Sequence, residues 1–258
     1  MAKEYRILVR RATLFLGLIL TISDGISQTA PKNIHDRTQL WLGFFNQSRY
    51  SKRLGSWIDV HYRRTDDFID KPLQFIIRGA GTYYIKDNFR FMAGYAYARH
   101  FPARTVTVTR HEHRPWQQLW WSQKHNGINT QQRLRLEERF ISKVSNNQVV
   151  NGFTFHFRLT YNLTLFIPLK GLDIVAKTPF IVISDEIMIN MGKRIIYNYF
   201  DQNRFFAGFG YQFTNNLNMQ LGYMNSFQQE FSGNNYLRNH TIRCFVYHTL
   251  DFRKKESN

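Results

Sequence analysis

The feature that most constrains this chain is a period of two. Phe89, Phe91, Ala93, Tyr95 and Tyr97 alternate with Arg90, Met92, Gly94, Ala96 and Ala98. Like residues gather on one side here only if successive side chains point to opposite faces of an extended backbone; on a helix, residues two apart diverge by roughly 200°. Phe153, Phe155, Phe157, Leu159 and Tyr161 alternate in the same way with Thr154, His156, Arg158 and Thr160. Phe205, Ala207, Phe209, Tyr211 and Phe213 alternate with Arg204, Gly208, Gly210 and Gln212, and Leu217, Met219, Leu221 and Tyr223 with Asn218, Gln220, Gly222 and Met224. Each stretch has one apolar, aromatic-rich face and one small or polar face.

The pattern predicts eleven strands, near 38–50, 56–64, 72–84, 89–100, 115–123, 130–141, 152–165, 173–189, 203–213, 217–228 and 239–252. A strand tilted by about 45° crosses a bilayer in about nine to eleven residues, whereas strands of globular domains average about five or six. The breaks at 51–55, 85–88, 124–129, 166–172 and 214–216 read as short, and those at 65–71, 101–114, 142–151, 190–202 and 229–238 as longer. Together these predict an all-β fold: an antiparallel transmembrane β-barrel of 10–12 strands, with short periplasmic turns and longer extracellular loops. Eleven is odd, whereas bacterial single-chain barrels have even counts. The reading therefore expects either a further crossing within residues 28–37 or a segment wrongly split or merged, with 173–200 the least regular.

Residues 1–27 read as an export signal. Lys3, Arg6, Arg10 and Arg11 precede an apolar run from Ala12 to Ile22, and Gly25 and Ser27 are small residues before Gln28. That run, about eleven residues, is too short for a membrane helix, which needs roughly 20. Cleavage between Ser27 and Gln28 leaves residues 28–258 as the barrel domain, with 31 basic against 16 acidic residues and a formal charge of +15. The outer membrane of a Gram-negative bacterium is the expected location. Outer-membrane lipids, lipopolysaccharide and, during insertion, the barrel-assembly machinery are the expected partners. The basic residues are spread along alternating strands of an exported chain, which argues against nucleic acid. Cys244 is the single cysteine, so neither a disulfide framework nor a cysteine zinc site is available. No cofactor or metal is expected, and no oligomeric state follows.

In "RLRLEERF", residues 133–140, the phase puts Leu134 and Leu136 toward lipid and Arg133, Arg135, Glu137 and Arg139 toward the lumen. The same phase adds Arg63, Arg78, Arg90, Arg158 and Arg204 to the lumen lining, with Asp59 as a further acid. Such a lining reads first as a structural ladder of guanidinium and carboxylate pairs, and second as a narrow anion-preferring pore. An alternative is a closed barrel that grips anionic glycan or lipopolysaccharide through residues 99–114, "RHFPARTVTVTRHEHR", where Arg104, Arg110, His111, His113 and Arg114 are the candidates. His111 and His113 alone make a weak metal signal. A further alternative is a membrane lipid hydrolase built on Ser122, His125 and Asn126; without matching spacing it ranks below a non-enzymatic role.

"WLGFFNQSRYSKRLGSWIDVHYRR" (41–64), "EHRPWQQ" (112–118), "RLRLEERF" (133–140), "SDEIMIN" (184–190), "FDQNRFFAGFGYQF" (200–213) and "MQLGYMNSF" (219–227) together resemble the exported outer-membrane barrel family numbered 2490 among the domains of unknown function. The likeness covers nearly all of the mature chain. It implies the fold and the location, and it carries no catalytic residues over. The chain departs from the usual outer-membrane ending, an aromatic terminus, because Phe252 is followed by "RKKESN".

Overall fold

The structure is a computed structural model that describes residues 32–103 and 106–253. The contacts divide the chain between Lys32 and Asn33, and the second unit is the barrel. The export signal read in residues 1–27 lies outside the described residues, as does Arg104.

Eleven strands form it: β1 (Asn33–Arg49), β2 (Leu54–Thr65), β3 (Lys71–Lys86), β4 (Phe89–His100), β5 (Arg110–His125), β6 (Ile128–Ser145), β7 (Gln148–Pro168), β8 (Thr178–Met191), β9 (Phe200–Thr214), β10 (Leu217–Gln229) and β11 (Asn235–Asp251). Each hydrogen-bonds to its neighbour in sequence, and β1 pairs with β11 to close the ring. Closure gives both edges of every strand a partner, so no row of backbone N–H and C=O groups is left bare.

The odd count is real, and the expected antiparallel order holds for ten of the eleven pairings. The eleventh, β1 with β11, is parallel, running in continuous register from Asn33↔Asn235 to Arg49↔Asp251. No additional crossing or merged segment is needed, because a parallel closure accommodates an odd number. The first strand therefore begins at one rim and the last strand ends at the other.

The expected alternation of loop lengths needs two corrections. Residues 142–151 are not a long loop: β6 and β7 continue to a two-residue turn at Asn146 and Asn147, both with positive φ (49° and 56°). That backbone is the type I′ turn, whose twist matches the strands it joins. The β7–β8 connection is conversely long, residues 169–177, because β8 starts at Thr178 rather than 173.

The barrel is apolar outside and polar inside. Along β4, Phe91 and Tyr95 are exposed while Arg90, Met92, Ala96 and Ala98 are buried. Phe44, Ile58, Leu134, Phe155, Phe209 and Leu221 continue the exposed apolar surface around the wall. Inside, Trp41, Phe45, Phe180, Phe206 and Phe245 form an apolar cluster between β1 and β8–β11, and Trp116 packs with Met92 and Ala96 on the opposite wall.

Candidate functional site

The inward positions of the strands enclose a cavity of about 910 Å³. Its lining runs from Gln47, Asn218 and Thr249 near the short-turn rim to Ala103, Val106, Phe231 and Ser232 in the long loops. Twelve arginines contribute to it against four carboxylates. Arg63, Arg78, Arg90, Arg133, Arg135, Glu137, Arg139, Arg158 and Arg204 all lie on its wall.

The carboxylates organise one part of this lining. Glu112, fully buried on β5, accepts from Arg114 Nε at 3.0 Å and from Arg139 Nε and Nη2 at 2.5 and 3.1 Å. Its second oxygen also lies 2.8 Å from His100 Nε2. Glu137 receives Arg114 at 3.3 Å and Arg158 at 2.6 Å, and Arg158 reaches on to Asp201 at 3.0 Å. This continuous network joins β4, β5, β6, β7 and β9 across the lumen. Each carboxylate is shared by at least two donors, which satisfies charges that would be costly to bury unpaired. Two smaller sets complete it. Asp59 holds Arg78 at 2.8 Å, His61 at 2.9 Å and the Trp57 indole at 2.6 Å. Glu186 holds Arg133 and, at 3.0 Å, Arg204.

A second group of arginines has no carboxylate within ion-pair distance among the described residues, and aromatic rings back it instead. Arg63 lies 3.5 Å over Trp41, Arg90 3.6 Å over Trp120, Arg135 4.4 Å over Trp116 and Arg243 3.3 Å over Phe206. Guanidinium planes stack on ring faces in this way through the ring quadrupole. Their neutral partners are few: Arg63 donates to Gln74 at 2.7 Å, Arg135 to Gln118 at 2.8 Å and Arg243 to Gln220 at 3.4 Å. Trp41 also touches Arg204, 4.9 Å from its ring centre, so guanidinium groups from β2 and β9 meet on one indole.

Residues 99–114 do not form the exposed basic loop expected from sequence. Arg99 and His100 end β4, and Arg110–Arg114 begin β5. The strand expected over 115–123 begins earlier, at Arg110, so Pro115 is not its first residue. It instead sits inside β5 opposite Tyr95 of β4, and the β5–β6 pairing is interrupted between His113 and Trp116, where that donor is missing. The candidates thereby separate. Arg114 is buried between Glu112 and Glu137, and Arg110 faces the cavity. His111 and His113 bond instead to the hydroxyls of Tyr97 (2.5 Å) and Tyr95. Among the described residues no group of three or more His, Cys, Asp or Glu side chains is placed to hold a metal.

Ser122 ends near the β5–β6 turn, where its backbone exchanges hydrogen bonds with Asn88. Asn126 and Gly127 form the turn itself, both with positive φ. Ser122 and His125 are three apart on one strand and so point to opposite faces.

Sequence reading passed over Glu112, Glu186, Asp201 and Arg243. Arg243 lay within reach, since it alternates in phase with Thr241 and Phe245, all inward. Glu112 was hidden by the strand start assigned to residue 115.

A family profile described as "Protein of unknown function (DUF2490)" matches residues 38–237. No curated protein and no solved structure matches the chain.

Proposed function

The chain belongs to the family of unknown function whose profile it matches, DUF2490, and from its barrel we propose that it is a non-enzymatic outer-membrane protein whose arginine-lined lumen admits small anions. The observation that carries this reading is one cavity with lining residues at both rims and a threefold excess of arginine over carboxylate. Cationic walls of low dielectric raise the local concentration of anions and oppose cations.

The membrane setting is supported by the outer wall. Strands of 12 to 21 residues exceed the crossing length, and a wall carrying exposed Phe44, Ile58, Phe155 and Phe209 is unsuited to water. Outward polar contacts gather toward the long-loop rim: Tyr95–His113, Tyr97–His111, Tyr223–His240 and Arg238–Asp36. In this reading they mark the membrane boundary, where lipopolysaccharide meets the barrel, and the barrel-assembly machinery inserts the chain.

The test is conductance of the refolded chain in planar bilayers under a salt gradient. An anion-selective reversal potential, diminished in Arg133→Ala/Arg135→Ala, is the expected result. Absence of current, or cation selectivity, rejects the reading.

A further inference from the structure

One acid of the barrel stands on the outer wall with no cation beside it. β8 alternates strictly: Glu186 points inward to Arg133 and Arg204, and its neighbour Asp185 points outward and is exposed. Asp185 lies at the middle of that strand, with Ile181 and Ile183 before it and Ile187 and Ile189 after it on the same face. Leu163 of β7 and Phe205 of β9 stand opposite it. Asn203 donates to its Oδ1 at 2.8 Å, and among the described residues no Lys, Arg or His lies within ion-pair distance of it.

In the membrane setting proposed above, this carboxylate faces the apolar belt. Ionisable groups within a bilayer pair with one another or line a cavity, and they mark functional contacts; an acyl chain offers no hydrogen-bond donor. Neighbouring outward pairs are satisfied by the wall itself: Tyr161 donates to Gln132 at 2.7 Å, and Tyr223 bonds to His240 at 2.6 Å. Asn225 is less well served. It lies on β10 in the same row of paired residues as Asp185, with Phe205 between them, and its amide reaches the Tyr223 hydroxyl only at 3.5 Å.

We infer that the outward face of β8–β10 is the contact between two copies of this chain, with Asp185 of each accepting a hydrogen bond from the partner's Asn225. The inference rests on the membrane setting. A two-fold axis along the membrane normal at β9 sets β8 of one copy against β10 of the other, so the same pairing forms twice, as an isologous contact requires. At the middle of β9 is Ala207, outward between Phe205 and Phe209 and paired with Ile183 and Tyr223 on either side. A methyl group at the axis lets the two walls approach closely, and the flanking rings, both exposed, supply apolar contact area. The acceptor and the donor are complementary within one sequence, on the two strands that flank the axis, so a second copy suits this face without any other kind of chain.

The experiment joins cross-linking in vesicles to sedimentation of the refolded full chain. In phosphatidylcholine vesicles recovered by flotation, Ala207→Cys in a Cys244→Ser background should form a disulfide-linked dimer on oxidation with copper phenanthroline, since a disulfide needs Cα atoms within about 7 Å. Leu134→Cys, outward on β6, should not. In density-matched detergent, sedimentation equilibrium should show a monomer–dimer equilibrium whose dissociation constant rises about tenfold or more in Asp185→Leu and in Asn225→Leu. The double variant should lose no more than either single one, because both remove the same contact, and Asp185→Asn, which keeps an acceptor, should lose less than Asp185→Leu. A parent chain that stays monomeric, a dimer that Ala207→Cys does not trap, equal cross-linking from Leu134→Cys, or additive losses in the double variant overturns the inference. The parent sedimentation decides even where a variant does not fold. A chain that fails to float with the vesicles removes the membrane reading together with this contact; a chain that floats and stays monomeric removes the contact alone.

Discussion

The side-chain amide of Gln39 donates to Asn239 Oδ1 over 2.7 Å, joining the first strand to the last inside the barrel. The other end of Gln39 accepts the Trp41 indole N–H at 2.6 Å, and Trp41 in turn carries Arg63 and Arg204 on its faces. Closure of the ring and orientation of the lumen's arginines thus share one buried glutamine.

Gln39→Leu keeps the volume and removes both bonds, leaving the Trp41 indole and the Asn239 amide short of partners. The expected cost is about 1–3 kcal/mol, read as a lower urea midpoint with an unchanged slope.

Glu112→Gln should be more damaging. Arg139 loses its carboxylate outright, while Arg114 retains Glu137. Breaking a buried pair from one side costs about 3–5 kcal/mol, so the midpoint should fall further than in Gln39→Leu. An equal or smaller effect would mean that the network is solvated.

Gly210→Val should prevent a native barrel. A Cβ at Gly210 would run into the ring of Phe180, which packs over that inward position. Cold and heated samples should then migrate alike in semi-native electrophoresis, whereas the parent shifts on heating.

The β6–β7 turn supplies a milder case. Asn147 has φ of 56°, which glycine adopts without strain and β-branched residues resist. Asn147→Gly should leave the urea midpoint unchanged or slightly raised, and Asn147→Val should lower stability by about 1–2 kcal/mol.

Cys244 reports on the outer wall. It pairs with Leu42 and Leu221, both exposed on the apolar face. In reconstituted vesicles a lipophilic maleimide should label it, and a charged, impermeant thiol reagent should not. Rapid labelling by the charged reagent would contradict the proposed membrane belt.

The fold was legible because period two is a local signal. Phe91 and Tyr95 opposite Arg90 and Met92 define a strand and its two faces without knowledge of any partner, and all eleven strands follow from such runs. Turn chemistry was partly legible: Asn126-Gly127 is a recognisable hairpin pair, whereas Asn146-Asn147 was lost inside a longer polar break. The closure was not legible, because nothing within β1 specifies whether β11 meets it parallel or antiparallel. At the candidate site, alternation could assign Arg135 and Arg139 to one face. It could not reveal that Arg139 pairs with Glu112 while Arg135 rests on Trp116, since those partners lie 27 and 19 residues away along the chain. The start of β5 was placed at residue 115 rather than Arg110, because Arg110–Arg114 carries only charged and histidine side chains and shows no apolar alternation.

The parallel closure bears on how this barrel could be re-engineered. In an even-stranded barrel the first strand begins and the last strand ends at the same rim, and a short peptide can join these two ends and move the chain's opening to another hairpin. Here Asn33 and Asp251 are separated by the height of the wall, since Asn33 faces Asn235 and Arg49 faces Asp251. A circular permutant would need a linker spanning roughly the rise of a 17-residue strand, some 3.3 Å per residue before tilt. Such a linker would itself run the full height of the barrel, along the wall or through the lumen, so the chain's point of opening is fixed by its strand count.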